Sequence, residues 1–259
     1  MSRPRPIVFR LLAIAMFLTS WQILVSGGFI SSLFLASPVQ VLYAGASLLA
    51  SGELQSDIAA SLVRVIVGFI LAAAIGIPVG IAMGTVKTFR LLLDGIVHVI
   101  RQIPGIAWLP LAILFFGLGN NAAFFLITYV AIWPFVVNLE DGLQNVDQSL
   151  IRAARSLGAR RVQLFFRVYL PAAVQYIYSA AWIAVGLALR ALIVAELAAA
   201  VTGPGAGIGY MIIYYASFLR TDIVILGMAL FAVFGFAGLQ LLVLMKRFLK
   251  WMPSVETGA

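Results

Sequence analysis

Residues 65–86 read VIVGFILAAAIGIPVGIAMGTV, a run of 22 residues without a charge. At a rise of about 1.5 Å per residue such a helix is about 33 Å long, enough to cross a hydrocarbon layer of roughly 30 Å. Within the same stretch Gly68, Ala72, Gly76, Gly80 and Gly84 recur four apart. They place one narrow stripe of small residues along a single helix face. In lipid no hydrophobic force draws helices together, so small residues that let two backbones approach are the usual contact. The stripe predicts packing against another helix of the same chain, and Pro78 predicts a kink.

The rest of the chain follows this pattern. Of 259 residues 63% are hydrophobic and 10% charged, with a mean hydropathy of +1.10. A soluble domain carries about 25% charged residues, so this chain has too little polar surface to face water on all sides. The lack of cysteine excludes a disulfide scaffold. The apolar blocks are continuous and do not alternate in ten-residue segments, which argues against a β-barrel. The blocks fit six spanning helices at about 8–26, 57–86, 96–118, 121–139, 172–200 and 222–246. The chain reads as an all-α membrane protein with one transmembrane domain over 1–259. The N-terminal apolar stretch runs through Val25, longer than a signal-peptide core, and no small-x-small cleavage site follows closely, so it reads as a retained first helix.

A net charge of +8 resembles a nucleic-acid signal until the charges are placed. Of 17 basic residues, 14 fall on one side of the six-span arrangement: Arg3, Arg5, Arg10, Lys87, Arg90, Arg101, Arg152, Arg155, Arg160, Arg161, Arg167, Lys246, Arg247 and Lys250. The other side holds Arg64 and Arg220 near helix ends. The positive-inside rule makes the basic side cytoplasmic and puts both termini there. Basic residues that flank spans exclude nucleic acid as a partner. On the outer side, Ser37 followed by Pro38 predicts a capped short helix at 38–51, ended by Gly52.

Chemistry within the chain is sparse. The single histidine, His98, lies one turn from Asp94 with no nucleophile motif nearby. The sequence has neither an HExxH motif nor a Cys/His or carboxylate cluster for a metal. Residues 203–209, Gly-Pro-Gly-Ala-Gly-Ile-Gly, follow no strand and read as a loop or re-entrant segment, not a phosphate loop. These features exclude an enzyme and leave no cofactor for this chain.

The longest polar segment, 140–171, is too patterned for a passive connection. Asp147 reads as the N-cap of a helix over 148–157 with Leu150, Ile151, Ala154 and Leu157 on one face and Arg152 and Arg155 elsewhere. Gly158 ends it in the left-handed manner. A second helix over 160–169 presents Val162, Phe165, Phe166 and Tyr169 and stops before Pro171. Two short amphipathic helices fit either the lipid headgroup region or the groove of a partner protein.

Residues 153–159, Ala-Ala-Arg-Ser-Leu-Gly-Ala, and 166–171, Phe-Arg-Val-Tyr-Leu-Pro, resemble the EAA loop of bacterial ABC importer permeases. The resemblance extends over roughly 37–252. It includes Ser51-Gly52-Glu53-Leu54, Ser61-Leu62 with Arg64 and Gly68-Phe69, Gln102-Ile103-Pro104, Pro110-Leu111, Phe116-Gly117, Trp133-Pro134, Ala195-Glu196, Gly207-Ile208-Gly209-Tyr210 and Thr221-Asp222. As a set these are similar to the nitrate/sulfonate/taurine/bicarbonate permease subfamily.

The resemblance implies a type I importer permease fold in the bacterial inner membrane. It further implies a second permease copy, cytoplasmic ABC ATPase subunits that bind ATP and magnesium, and an extracytoplasmic solute-binding protein. Helix 148–157 would be the coupling helix seated in the ATPase, with Asp147, Leu150, Ile151, Ala153, Ala154, Leu157 and Gly158 as its functional residues. A vitamin precursor or another small organic solute is an alternative cargo, and a self-sufficient secondary transporter is an alternative class. The chain departs from the pattern twice. Arg152 stands where the family has Glu, and Arg190 interrupts the fifth span, where the family has an apolar or aromatic residue. An arginine at a span centre costs on the order of 2.5–3.5 kcal/mol on insertion scales. Glu196 is six residues further, about 240° around the helix, so the two do not share a face. Arg190, Arg64 and Glu196 are the candidates for the translocation path, with a structural ion pair or hydrogen-bonded helix contact as the alternative for Arg190 and Arg64 and a packing or gating role for Glu196.

Overall fold

A computed structural model describes residues 6–198 and 205–248. The regular elements of the described chain are helices: α1 Pro6–Ser26, α2 Pro38–Ala50, α3 Glu53–Thr85, α4 Lys87–Ile100, α5 Leu109–Phe116, α6 Asn120–Gln144, α7 Gln148–Ser156, α8 Arg161–Leu164, α9 Leu170–Ala198, α10 Ile208–Ser217 and α11 Thr221–Phe248. Two compact units form. One comprises residues 1–61 and 200–232, the other 62–199 and 233–259.

Within the first unit the expected outer helix is present as α2. Ser37 Oγ accepts the Gln40 N–H at 3.3 Å, and the Gln40 side-chain oxygen accepts the Ser37 N–H at 2.8 Å. This reciprocal capping box, with Pro38 at the first turn, fixes where the helix begins. Gly52 at φ +81° ends it, and α3 starts directly after, four residues earlier than the sequence predicts.

The second unit is organised around α6. The small-residue stripe of α3 packs on it: a Cβ added at Gly80 would lie 2.8 Å from both Leu139 Cβ and the Phe135 carbonyl oxygen, and one at Gly84 2.8 Å from Leu143 Cβ. Gly68 faces Ile127 and Gly76 faces Phe135, so α3 and α6 run parallel. The opposite packing partner is α9, which turns a stripe of buried alanines inward at 173, 180, 184, 188, 191 and 195. Ala173 joins Leu139 and Leu143, and Ala195 joins Ala122, Ala123 and Leu126, so α9 is antiparallel to α6. Along α11, Gly235 meets Leu189 and Gly238 meets Val185 of α9, again antiparallel.

Parallel α3 and α6 require the chain to return between them, and α4 with α5 makes that return. The predicted uninterrupted helix over 96–118 is not what forms. The path bends by 91° between Lys87–Ile100 and Gly105–Phe116. Pro104 lacks an N–H and disfavours helical geometry at Ile103, which breaks the helix there. The helix expected to stop before Pro171 instead continues. Phe165–Tyr169 forms a π turn in which the Leu170 N–H donates to the Phe165 carbonyl, and the widened turn accommodates Pro171 without ending the helix. Arg161–Leu197 is therefore one 37-residue apolar stretch. Among the described residues four helices are long and apolar enough to cross a membrane, and the bent pair makes a fifth if counted as one span.

Gly80→Leu should lower the stability of the purified protein by about 1–3 kcal/mol or more, because neither Leu139 Cβ nor the α6 backbone can yield. Gly95→Ala, where nothing lies within 4 Å, should leave it unchanged or slightly higher. Thermal unfolding in detergent followed by size-exclusion checks both.

Candidate functional site

Three constellations bear on function. The first is the segment around α7. Asp147 caps it as the sequence predicts: its carboxylate accepts the Ser149 N–H at 2.7 Å and the Ser149 hydroxyl at 2.7 Å. The hydroxyl and the N–H together hold the Asp147 carboxyl below its ordinary range. This contribution is therefore present above the ordinary carboxyl pKa and lost only as the pH falls through the lowered one. At the other end the Gly158 N–H donates to the Arg155 carbonyl (2.9 Å) and the Ala159 N–H to the Ala154 carbonyl (3.0 Å). These are the two bonds of a Schellman motif, with Gly158 at φ +81°.

The predicted single face of α7 is divided. Ile151 is buried at 3% exposure and packs with Leu139, Leu143, Val146 and Ala173, so it anchors the helix. Ala154 is half-buried, and Ala153 is exposed. Leu150 and Leu157, two turns apart, project outward at 58% and 89% exposure. Arg152 and Arg155 are exposed beside them. The result is a rigidly capped helix, fixed by one side chain and offering two leucines and two arginines outward.

The second constellation is a buried ion pair. Arg64 Nη1 lies 2.9 Å from Glu196 Oε1, with both side chains at 2% exposure or less, and Arg64 Nε donates to Asn120 Oδ1 at 2.8 Å. The pair ties α3, α6 and α9 together within one unit. Sequence reasoning compared Glu196 only with Arg190 on its own helix. It missed the partner 132 residues away and missed Asn120 altogether. Arg190 joins neither residue: it is exposed on α9 and has no ion pair or hydrogen bond among the described residues.

The third constellation, in the other unit, is a clamp on the start of α10. Asp57 is 4% exposed, and its Oδ1 accepts the N–H groups of Gly205 and Gly207, both at 3.1 Å. Ser61 Oγ accepts the Ile208 N–H at 2.9 Å. Tyr215 donates to Glu53 at 3.0 Å. The described part of the glycine-rich segment is thus a loop entering a helix, as predicted, while Gly203 and Pro204 lie outside the described residues. The spacing of Asp57 and Ser61, one turn apart on α3, was the available signal for this clamp.

Residues 76–252 match the family model described as binding-protein-dependent transport system inner membrane component. The chain belongs to this family. It is similar to the taurine transport system permease protein TauC of Escherichia coli (strain K12), with 37% identity covering 97% of this chain and 92% of TauC. It is also similar to the nitrate import permease protein NrtB of Synechocystis sp. (strain PCC 6803), with 38% identity covering 95% of this chain and 88% of NrtB. A chain in a structure of the MetNI methionine ABC transporter in inward-facing conformations shares the fold. It aligns with a TM-score of 0.56 and 23% identity over 73% of this chain and 94% of that one. The permease resemblance read from the loop is therefore correct, and so is its consequence. This is a multi-pass inner-membrane permease subunit of an ABC importer, which works with a binding protein and an ATPase. It is not itself an enzyme, and ATP is handled by the partner ATPase.

Glu196→Ala should destabilise the protein by about 3–5 kcal/mol, because a buried guanidinium loses its carboxylate partner. Arg64→Met combined with Glu196→Met should recover much of the loss. Detergent melting curves of the two variants check this, and a single variant as stable as the parent would show that the pair is dispensable.

Proposed function

We propose that this permease carries a small anion of the sulfonate, nitrate or bicarbonate kind. The observation that carries the reading is the 37–38% identity, over nearly the whole chain, to permeases named for taurine and for nitrate. The taurine sulfonate and nitrate share a compact, delocalised oxyanion. In this reading two copies pair to enclose the path, each with six spans: α1, α3, the bent α4–α5 pair, α6, α9 and α11. Parallel α3 and α6 joined by the α4–α5 return, with α9 antiparallel to α6 and α11 antiparallel to α9, support that count. The one-sided basic residues support cytoplasmic termini.

α7 is the ATPase-docking element. Asp147 and Gly158 fix its two ends, and Ile151 joins it to the α6–α9 core. Leu150, Ala153, Ala154 and Leu157 form the surface that seats in the ATPase. A displacement of α7 is thereby delivered to α6 and α9, the two helices that Ile151 touches through its cluster. Arg64 and Glu196 neutralise each other and brace the spans.

Gly158→Leu places a branched side chain where φ is +81°, which is strained for any L residue. It should abolish co-purification of the ATPase subunits and solute uptake while membrane insertion remains intact. Asp147→Ala should weaken both and Asp147→Asn should retain them. Uptake of labelled taurine and nitrate by cells expressing the whole transporter tests the solute class. Normal assembly of the Gly158→Leu variant would refute the docking role, and absence of uptake of both probes would refute the solute class.

A further inference from the structure

We infer that Arg190 faces the aqueous translocation path and supplies the positive charge that draws an anionic solute through it, an inference that rests on the permease reading above. Three observations carry it. The first is place. Ser179, Ile183, Gly186 and Arg190 recur at helical spacing on the exposed side of α9, opposite its buried alanine stripe. A Cβ at Gly186, one turn before Arg190, would meet nothing within 4 Å. This side of the helix is open at that depth.

The second observation is direction. Arg190 stands eight residues before Ala198, the last described residue of α9, so at least about 12 Å of helix follows it on the C-terminal side. Helical side chains lean toward the N-terminus. The guanidinium is therefore carried deeper into the span, and snorkelling to the near interface works against the geometry.

The third is the lack of a counter-charge among the described residues. The chain has nine acidic residues. Glu196 is held by Arg64 and Asp57 by the Gly205 and Gly207 N–H groups. Glu140 is buried beside Gln144, Asp94 is paired with His98 and Asp222 with Arg220. Glu53 accepts from Tyr215 and Asp147 from Ser149. Asp141 is exposed in the last turn of α6, and Glu256 lies outside the described residues. No described carboxylate stands free beside the apolar length of α9. A second copy brings the same described set, in which only Asp141 stands without a stated partner, in the last turn of α6, the end that packs by Ala173 and not by Arg190. No described hydrogen-bond acceptor of this chain meets Arg190 and lipid does not solvate a guanidinium, which points to water and a dissolved anion. A planar guanidinium offers two parallel N–H donors that match sulfonate, nitrate and bicarbonate oxygens.

Because the chain has no cysteine, a single thiol reports directly. In the complete transporter reconstituted in vesicles, the thiols of Gly186→Cys and Arg190→Cys should react with water-soluble methanethiosulfonates. At Gly186→Cys the preference for the anionic sulfonatoethyl reagent over the cationic aminoethyl reagent should fall about tenfold when Arg190→Leu is added, the size of one charge-assisted interaction. Uptake of labelled taurine or nitrate should drop by about the same factor in Arg190→Leu and in Arg190→Cys. It should recover in Arg190→Lys and after aminoethylation of Arg190→Cys, but not after sulfonatoethylation. Thiols inert to both reagents, or a reagent preference unmoved by Arg190→Leu, would overturn the inference. If the charge-dependent labelling appears while the parent transports neither probe, Arg190 lines an anion-attracting path and the solute class is what fails.

Discussion

An ionised side chain among apolar helices has to be met by an opposite charge, by a set of hydrogen-bond donors or acceptors, or by water, because hydrocarbon supplies none of them. That requirement arranges this molecule. Arg64 and Glu196 meet it with each other and with Asn120, and in doing so hold three spans in one register. Asp57 meets it with backbone N–H groups and so fixes where α10 begins. Arg190 meets it with nothing in the described chain, and is for that reason the charge we assign to the path.

The spans themselves associate by a different rule. With lipid as apolar as leucine, contact comes from shape, and both helices packed on α6 present small residues to it: glycines from α3 and alanines from α9. Such close backbone packing transmits displacement with little slack. α7 is tied to the same core through Ile151, so a push on this short helix arrives at α6 and α9.

Much of this was legible in the sequence. The spans showed as uncharged blocks, and the glycine stripe declared its packing role through its spacing of four. Ser37, Asp147 and Gly158 marked helix ends by chemistry that acts within a turn. The capping pairs and the left-handed glycine need only local chain. Long-range facts were not legible. That Arg64 finds Glu196 depends on how α3 and α9 are brought together, which no local period encodes. The alanine stripe of α9 went unread because alanine is common in any apolar helix and only burial distinguishes its inward face. Pro104 and Pro171 illustrate the same limit. Both are helix breakers by local chemistry, yet one bends the chain by 91° and the other is absorbed in a π turn, because a further span has to follow without interruption. The even face predicted for α7 was divided for the related reason that the core takes Ile151 and leaves Leu150 and Leu157 outside.

The central claim is that α7 is the mechanical link to the ATPase, and the 89% exposure of Leu157 gives the most direct way to test it. A short thiol-to-amine crosslinker attached at Leu157→Cys, the only thiol in the permease, should join it to the ATPase subunit in the assembled transporter, with a yield that changes when ATP is added. A thiol that stays freely reactive to a bulky water-soluble reagent in the assembled complex, and never crosslinks to the ATPase, would contradict the account.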